Sequence, residues 1–165
     1  MGPLHLEGDD PLVSIDNVTV RWAGKRQFVG WDAAGHGLVL DAAEAYGGEG
    51  TGPRPITVVL YGLAACTAMD VVSVLEKKRQ DFSGLEIEVV AEQREDDYPK
   101  IYTRIELTYV VTGRGVSPEA VARAIQLSED KYCSVKGMLG PQVEVVTCHR
   151  IVEEADPAHA NGADG

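Results

Sequence analysis

Basic residues are scarce in this sequence. Its 165 residues include 15 lysines and arginines against 26 aspartates and glutamates, which gives a formal net charge of −11 at pH 7. Proteins that bind nucleic acid or anionic membranes present clustered Lys and Arg to the phosphates. The charge balance therefore argues against a nucleic-acid partner and against a polybasic grip on a membrane surface.

The sequence also lacks an evident export or membrane segment. Its opening, MGPLHLEGDD, has neither a basic start nor an apolar run as long as a secretory signal needs. The longest apolar region is interrupted by Thr57, Tyr61, Gly62, Thr67 and Asp70, and we expect it to be too short and too polar to cross a bilayer. These features favour a cytoplasmic protein.

Cysteine is sparse, and metal-binding spacings are missing. The three cysteines, Cys66, Cys133 and Cys148, cannot all pair within one chain. Because the cytosol disfavours permanent disulfides, a bond between two of them would be transient and chemical. No CxxC or HExxH spacing occurs, and Cys148 and His149 are adjacent in a strand and would point to opposite faces. We expect no metal site.

The chain is long enough for one domain with a sizeable core, with 44% hydrophobic and 25% charged residues. We expect a flexible leader over residues 1–12 and a folded body over residues 13–152. Ala, Gly, Asp and Pro dominate residues 153–165, which we interpret as a disordered acidic tail.

The pattern of apolar residues predicts an α+β fold. Three short strands, read as an antiparallel sheet, precede a glycine-rich loop at residues 47–53 that lacks the lysine and the setting of a phosphate loop. From Pro55, apolar residues recur at three- and four-residue steps and predict a long central helix. Two long strands, a second helix capped by Ser117 and begun by Pro118, and a last strand follow.

Cys66 lies inside the predicted central helix, in the stretch YGLAACTAMDVVSVLEKKR at residues 61–79. It is about three turns in, too far for the helix N-terminus to stabilise its thiolate. The residues alone allow two interpretations. Cys66 is either a small buried hydrophobe or a reactive thiol activated by a cation from elsewhere, with Arg26, Lys25 and Arg54 as candidates.

Cys133 has a different setting, in KYCSVKGML at a break between one helix and a short next one. Ser134 and the free N–H groups of a starting turn could stabilise its thiolate. Cys66 and Cys133 are 67 residues apart, so only the fold could bring them together. Composition leaves open whether it does.

The two cysteine segments carry a family resemblance. ACTAMDVVSVLEKKR followed by KYCSVKGML, with a strand pair between them, resembles the OsmC/Ohr family of thiol-dependent hydroperoxide reductases. The nearer branch is the OsmC-like one, which carries a G-C-T-A-x-D-V-V helix and a K-Y-C-S-V segment, and the similarity extends over residues 18–152. The resemblance implies the OsmC-like fold, with antiparallel sheets around a long central helix. It also implies an intertwined homodimer with active sites at the subunit interface, and no bound cofactor.

The resemblance also implies a mechanism in oxidative stress defence. Cys66 would attack an organic hydroperoxide and become a sulfenic acid, and Cys133 would condense with it to form a disulfide. An external dithiol, such as a lipoyl-type dithiol, would reduce that disulfide. Arg26, with Lys25 as the alternative register, would favour the thiolate and stabilise negative charge on the leaving oxygen.

One departure from the family pattern keeps a second function open. Family members usually carry a glutamate just after the proline that opens the central helix, where it holds the arginine in place. Ile56 and Thr57 occupy those positions here, and Glu49 is a candidate substitute. The alternative is an OsmC-fold protein that binds small molecules or senses redox state without peroxidase turnover.

Other polar residues receive structural interpretations. Asp70 follows Cys66 by four and shares its helix face, where it could pair with a lysine, accept a hydrogen bond near the site or face solvent. We interpret Cys148 as a packed strand thiol, Tyr132 as a core residue and His36 as a solvated turn residue.

Overall fold

The computed structural model describes residues 16–155. The predicted leader and most of the predicted tail lie outside these residues, and the domain boundaries stay predictions. The secondary structure comprises β1 (Val18–Gly24), β2 (Gln27–Asp32), β3 (Gly37–Leu40), α1 (Pro55–Lys77), β4 (Phe82–Gln93), β5 (Tyr102–Gly113), α2 (Pro118–Leu127), α3 (Ser134–Met138) and β6 (Glu144–Glu153). Two three-stranded sheets and one long helix make an α+β fold, as predicted.

The chain separates into two compact units that divide within α1, between Val58 and Val59. The N-terminal unit contains the sheet β1–β2–β3, whose neighbouring strands are antiparallel. Lys25 and Arg26 form the turn between β1 and β2. Lys25 has a positive φ of 45°, a conformation uncommon outside glycine.

A buried carboxylate organises the glycine-rich loop of the N-terminal unit. Asp41 is 1% exposed and accepts four hydrogen bonds. The donors are the N–H groups of Ala42 at 2.8 Å, Glu49 at 2.9 Å and Thr51 at 3.2 Å, and the Thr51 hydroxyl at 2.9 Å. The hydrogen bond from Glu49 N–H is the largest of the effects that lower the pKa of Asp41. Two amides of the loop are thus engaged by the chain's own carboxylate.

The sheet of the C-terminal unit has the order β4–β5–β6. β4 and β5 are antiparallel, whereas β5 and β6 are parallel, with Arg104 beside Glu144. The prediction of antiparallel sheets is therefore wrong for β6. The cause is the connection, because α2 and α3 return the chain to the end of the sheet at which β5 begins.

Three elements supply the core of the C-terminal unit. α1 buries one side chain every four residues, and β5 buries alternate residues from Ile105 to Val111 as well as Val110. The buried side chains are Leu63, Thr67, Val71 and Leu75 of α1, Ile105, Leu107, Tyr109, Val110 and Val111 of β5, and Ala120, Val121, Ala124 and Ile125 of α2. Each large apolar side chain buried in this way contributes about 1.5–3 kcal/mol.

The length and composition of α1 alone would allow it to cross a bilayer. It has 23 residues and a mean hydropathy of 2.0 over its most apolar window, 28% of which is buried. The expectation that this region is too short and too polar is therefore wrong. Core helices of soluble proteins can have the same length and hydropathy, and α1 has one regularly spaced buried face.

The start of α2 follows the prediction. Ser117 Oγ accepts a hydrogen bond from Ala120 N–H at 3.2 Å, and Pro118 begins the helix. The regular α-helix ends at Leu127 and continues as a π-helical turn over Ser128–Tyr132. That turn leads directly to Cys133.

Candidate active site

Cys66 lies on the half-exposed side of α1. The next residue, Thr67, belongs to the buried face of the same helix. Consequently the thiol is next to the core without being enclosed by it. Such a position lets a second element approach it.

The π turn and the start of α3 hold Cys133, which is 7% exposed. Its N–H donates to the carbonyl oxygen of Ser128 at 2.9 Å. Its Sγ accepts a hydrogen bond from Lys136 N–H at 3.4 Å and caps α3. Hydrogen bonds to the main chain therefore hold both the N–H and the Sγ of Cys133.

The fold brings Cys66 and Cys133 together. Both are free cysteines, and Cys66 lies near enough to Cys133 to influence the pKa of its thiol. Burial raises the pKa of the Cys133 thiol, and the neighbouring Cys66 raises it further, while the Lys136 N–H opposes the shift. Cys133 is accordingly a neutral thiol at neutral pH. The sequence alone could not establish this proximity.

A buried polar network consists of Tyr109, Thr67 and Ser128, which are buried, and of Asp70, which is half-buried. Thr67 Oγ1 and Tyr109 OH are 2.6 Å apart. Ser128 Oγ lies 2.9 Å from Thr67 Oγ1 and 2.8 Å from Asp70 Oδ2. The network joins α1, β5 and the π turn.

The protons of this network can be assigned by chemistry. An ionised carboxylate only accepts, so Ser128 gives its single proton to Asp70, and Thr67 must supply the proton shared with Ser128. Burial, the largest effect, raises the pKa of Tyr109 to about 12. Tyr109 therefore keeps its proton and donates it to Thr67. All the hydrogen bonds then run in one direction, toward the carboxylate.

Comparison with known proteins decides the family. The family model described as OsmC-like protein matches residues 48–147. The chain belongs to the OsmC-like protein family. Protein YhfA of Escherichia coli strain K12, similar to this OsmC-like chain, is 40% identical over 134 residues, which cover 81% of this chain and 96% of YhfA. The predicted membership of the OsmC/Ohr family is confirmed.

Solved structures share the OsmC-like fold. A hypothetical protein from Aquifex aeolicus VF5 is 27% identical, with a TM-score of 0.75 over 87% of this chain and 100% of that one. The organic hydroperoxide resistance protein OhrB of Bacillus subtilis is 21% identical, with a TM-score of 0.58 over 83% of this chain and 98% of that one. The likeness to OhrB shows the fold.

The cationic candidates of this OsmC-like chain lie in the N-terminal unit. Lys25 Nζ forms an ion pair with Glu49 Oε1 at 2.6 Å. Arg26 follows in the same turn, and its side chain passes over Gly47, where an added Cβ would lie 3.9 Å from the arginine Cγ. Glu49 thus binds Lys25, and the activating role of Arg26 stays a prediction. Arg54 is exposed just before α1.

Two minor residues differ from their predicted environments. Cys148, expected to be packed, is exposed and contacts Thr108 Oγ1 at 3.1 Å. Tyr132, expected in the core, is 46% exposed. Both residues lie on the exposed side of their elements. His36 is exposed, as predicted, and its ring contacts Asp32 at 2.8 Å.

The residues that sequence reasoning missed are Ser128, Thr67 and Tyr109. Only Thr67 carried a usable signal, since it is a hydroxyl residue in the otherwise apolar four-residue series of α1. A buried hydroxyl needs a partner. For Asp70 the structure selects one of the three interpretations, that of hydrogen-bond acceptor. Among residues 16–155, no group of three or more His, Cys, Asp or Glu side chains could hold a metal ion.

Proposed function

We propose that this OsmC-like protein reduces organic hydroperoxides, with Cys66 as the nucleophile and Cys133 as the resolving thiol. The observation that carries the proposal is the proximity of these two cysteines, which come from segments 67 residues apart. The fold shared with a protein named for organic hydroperoxide resistance supports the substrate class. The role would be protection against oxidative stress.

The reaction has two oxidative steps. The thiolate of Cys66 attacks the terminal oxygen of the hydroperoxide, the O–O bond breaks, and the alkoxide takes a proton and leaves as an alcohol. The sulfur of Cys133 then attacks the sulfenic acid on Cys66. An S–S bond forms, the S–O bond breaks, and the hydroxide leaves as water with the proton from Cys133.

The rest of the catalytic cycle depends on groups other than the two thiols. A dithiol reductant, such as a lipoyl-type dithiol, exchanges with the disulfide and returns both thiols, and no bound cofactor takes part. We assign to Arg26 the stabilisation of the thiolate and of the charge on the leaving oxygen. We place the reaction in the cytoplasm, where such dithiols are kept reduced.

A homodimer is part of this proposal. α1 leaves large apolar side chains exposed, with Tyr61 at 58% and Met69 at 71%. On β1, Val18 and Trp22 are 74% and 64% exposed. Apolar surface of this kind is stabilised when a partner covers it. Sedimentation at equilibrium tests the dimer, and a monomer at every concentration would contradict it.

A thiol titration tests the activity. The reduced protein receives one equivalent of cumene hydroperoxide, and free thiols and remaining peroxide are measured together. Rapid loss of two thiols and of the peroxide is expected, with the Cys148→Ser variant behaving in the same way. Persistence of all three thiols would contradict peroxidase function.

One observation favours the alternative, a binding or redox-sensing protein without turnover. Ile56 and Thr57 stand where the family glutamate is usual, and Glu49 is paired with Lys25. An arginine without its carboxylate would be less well oriented. A single stoichiometric oxidation, without catalytic turnover when a dithiol is supplied, would support this alternative.

A further inference from the structure

Ser128 connects the two halves of the thiol pair. Its side chain contacts α1 twice, at Thr67 and at Asp70. Its carbonyl oxygen accepts the N–H of Cys133. A single residue, itself 0% exposed, therefore links the helix that carries the nucleophile to the backbone that carries the second thiol.

We propose that the buried polar network is a positioning device that holds Cys133 beside Cys66 and thereby sets how readily their disulfide forms. The inference rests on the proposed function, because it concerns the resolving step of that reaction. No residue of the network takes part in the bond changes at Cys66 or Cys133. They are therefore positioning residues and not catalytic ones.

The register of the contacts supports this role. Thr67 follows Cys66 directly, and Asp70 lies about one helical turn beyond it. Any sliding or rotation of the π turn along α1 that displaces Ser128 also displaces Cys133, since the two share a main-chain hydrogen bond at 2.9 Å. The distance between the thiols is therefore coupled to the hydrogen bonds of Ser128.

Apolar packing could not supply the same constraint. Hydrophobic contacts are non-directional, whereas hydrogen bonds fix distance and angle. In this core, one helical face is held against Tyr109 of β5 at 2.6 Å and against Ser128 at 2.9 Å. Because Thr67, Tyr109 and Ser128 are buried, losing one of these partners leaves another unsatisfied, and the cost discourages alternative registers.

Disulfide formation is sensitive to such positioning. An S–S bond forms within one chain when the two sulfurs are held close together. The closeness is expressed as an effective concentration of one thiol at the other. A turn that moves freely against α1 would lower this effective concentration. It would do so without changing the chemistry of either thiol.

The test is a thiol–disulfide equilibrium with glutathione in the Cys148→Ser background, in which only Cys66 and Cys133 can pair. The fraction of protein that carries the disulfide is measured by alkylating the free thiols and determining the mass of the product by mass spectrometry. We expect Ser128→Ala to lower the effective concentration by about tenfold, the equivalent of one buried hydrogen bond. Tyr102→Phe, a change at a buried tyrosine of β5 outside the network, should leave it unchanged.

This readout separates positioning from general stabilisation. A merely structural Ser128 would lower the melting temperature equally in the reduced and oxidised forms, and the equilibrium would not move. An unchanged equilibrium in folded Ser128→Ala therefore overturns the inference. Should Ser128→Ala fail to fold by circular dichroism, Asp70→Asn takes its place, with a shift in the same direction expected and no shift overturning the inference.

The glutathione equilibrium involves no peroxide, so the two proposals can fail separately. In one outcome, Ser128→Ala shifts the Cys66–Cys133 disulfide equilibrium, but the protein consumes no peroxide. This outcome would support the positioning role and contradict the proposed peroxidase activity. A pair that stays reduced at every glutathione ratio would overturn the positioning role itself.

Discussion

Tyr109 OH and Thr67 Oγ1 lie 2.6 Å apart and join β5 to α1 within the core of the C-terminal unit. The tyrosine is 0% exposed, and burial raises its pKa to about 12. The phenol therefore stays protonated well beyond its ordinary range. It holds one end of the network that reaches Ser128 and the turn before Cys133.

The first prediction concerns stability in alkali. The folded protein binds the Tyr109 proton more tightly than the unfolded chain, with pKa values of about 12 and 10.0. This contribution to the free energy of unfolding is fully present below pH 10 and declines as pH rises toward 12. Urea unfolding under reducing conditions should show the advantage of the wild type over Tyr109→Phe shrinking across that interval. A constant difference would contradict the assignment.

The second prediction assigns the three cysteines. Cys66→Ser should abolish peroxide consumption, because Cys66 is the proposed nucleophile. Cys133→Ser should allow one oxidation and then accumulate sulfenic acid, detectable with dimedone and mass spectrometry. Cys148→Ser is the matched control, since Cys148 is exposed on β6 and contacts Thr108. Loss of activity in that control would mean that the pair has been assigned wrongly.

Elements specified by neighbouring residues were predictable from the sequence. The α-helix from Pro55 and the Ser117 cap depend on interactions within one or two turns, and both occur in the structure. The direction of β6 was not predictable in this way, because it depends on the path of α2 and α3. Tyr132 shows the same limit, since its exposure is set by the π turn.

The two cysteines of the candidate site could be named from the sequence, whereas the residues that support them could not. Cys66 and Cys133 stand in local motifs that carry a family resemblance, and the structure places them near each other. Ser128 and Tyr109 have no such local motif. Their meeting with Thr67 requires a helix, a strand and a turn to pack in one register, and no short stretch of sequence encodes that arrangement.

The third prediction follows from the environment of Cys133. Burial, the largest cause, raises the pKa of this thiol above its ordinary 9.0, and it still acts once Cys66 has become a sulfenic acid. Since the thiolate is the attacking form, the rate of disulfide formation should keep rising with pH past 9.0. Following the loss of sulfenic acid after one equivalent of peroxide measures this step. A plateau reached below pH 9.0 would contradict the buried setting of Cys133.

The fourth prediction separates the two cations of the β1–β2 turn. If Arg26 stabilises the Cys66 thiolate and the leaving oxygen, Arg26→Ala should slow peroxide consumption by on the order of a hundredfold. Lys25→Ala removes a charge from the same turn together with the exposed Glu49 ion pair, which is worth little. Single-turnover kinetics should therefore show a large effect for Arg26 and a small one for Lys25. The reverse order would move the activating role to Lys25, and two small effects would favour the protein without turnover.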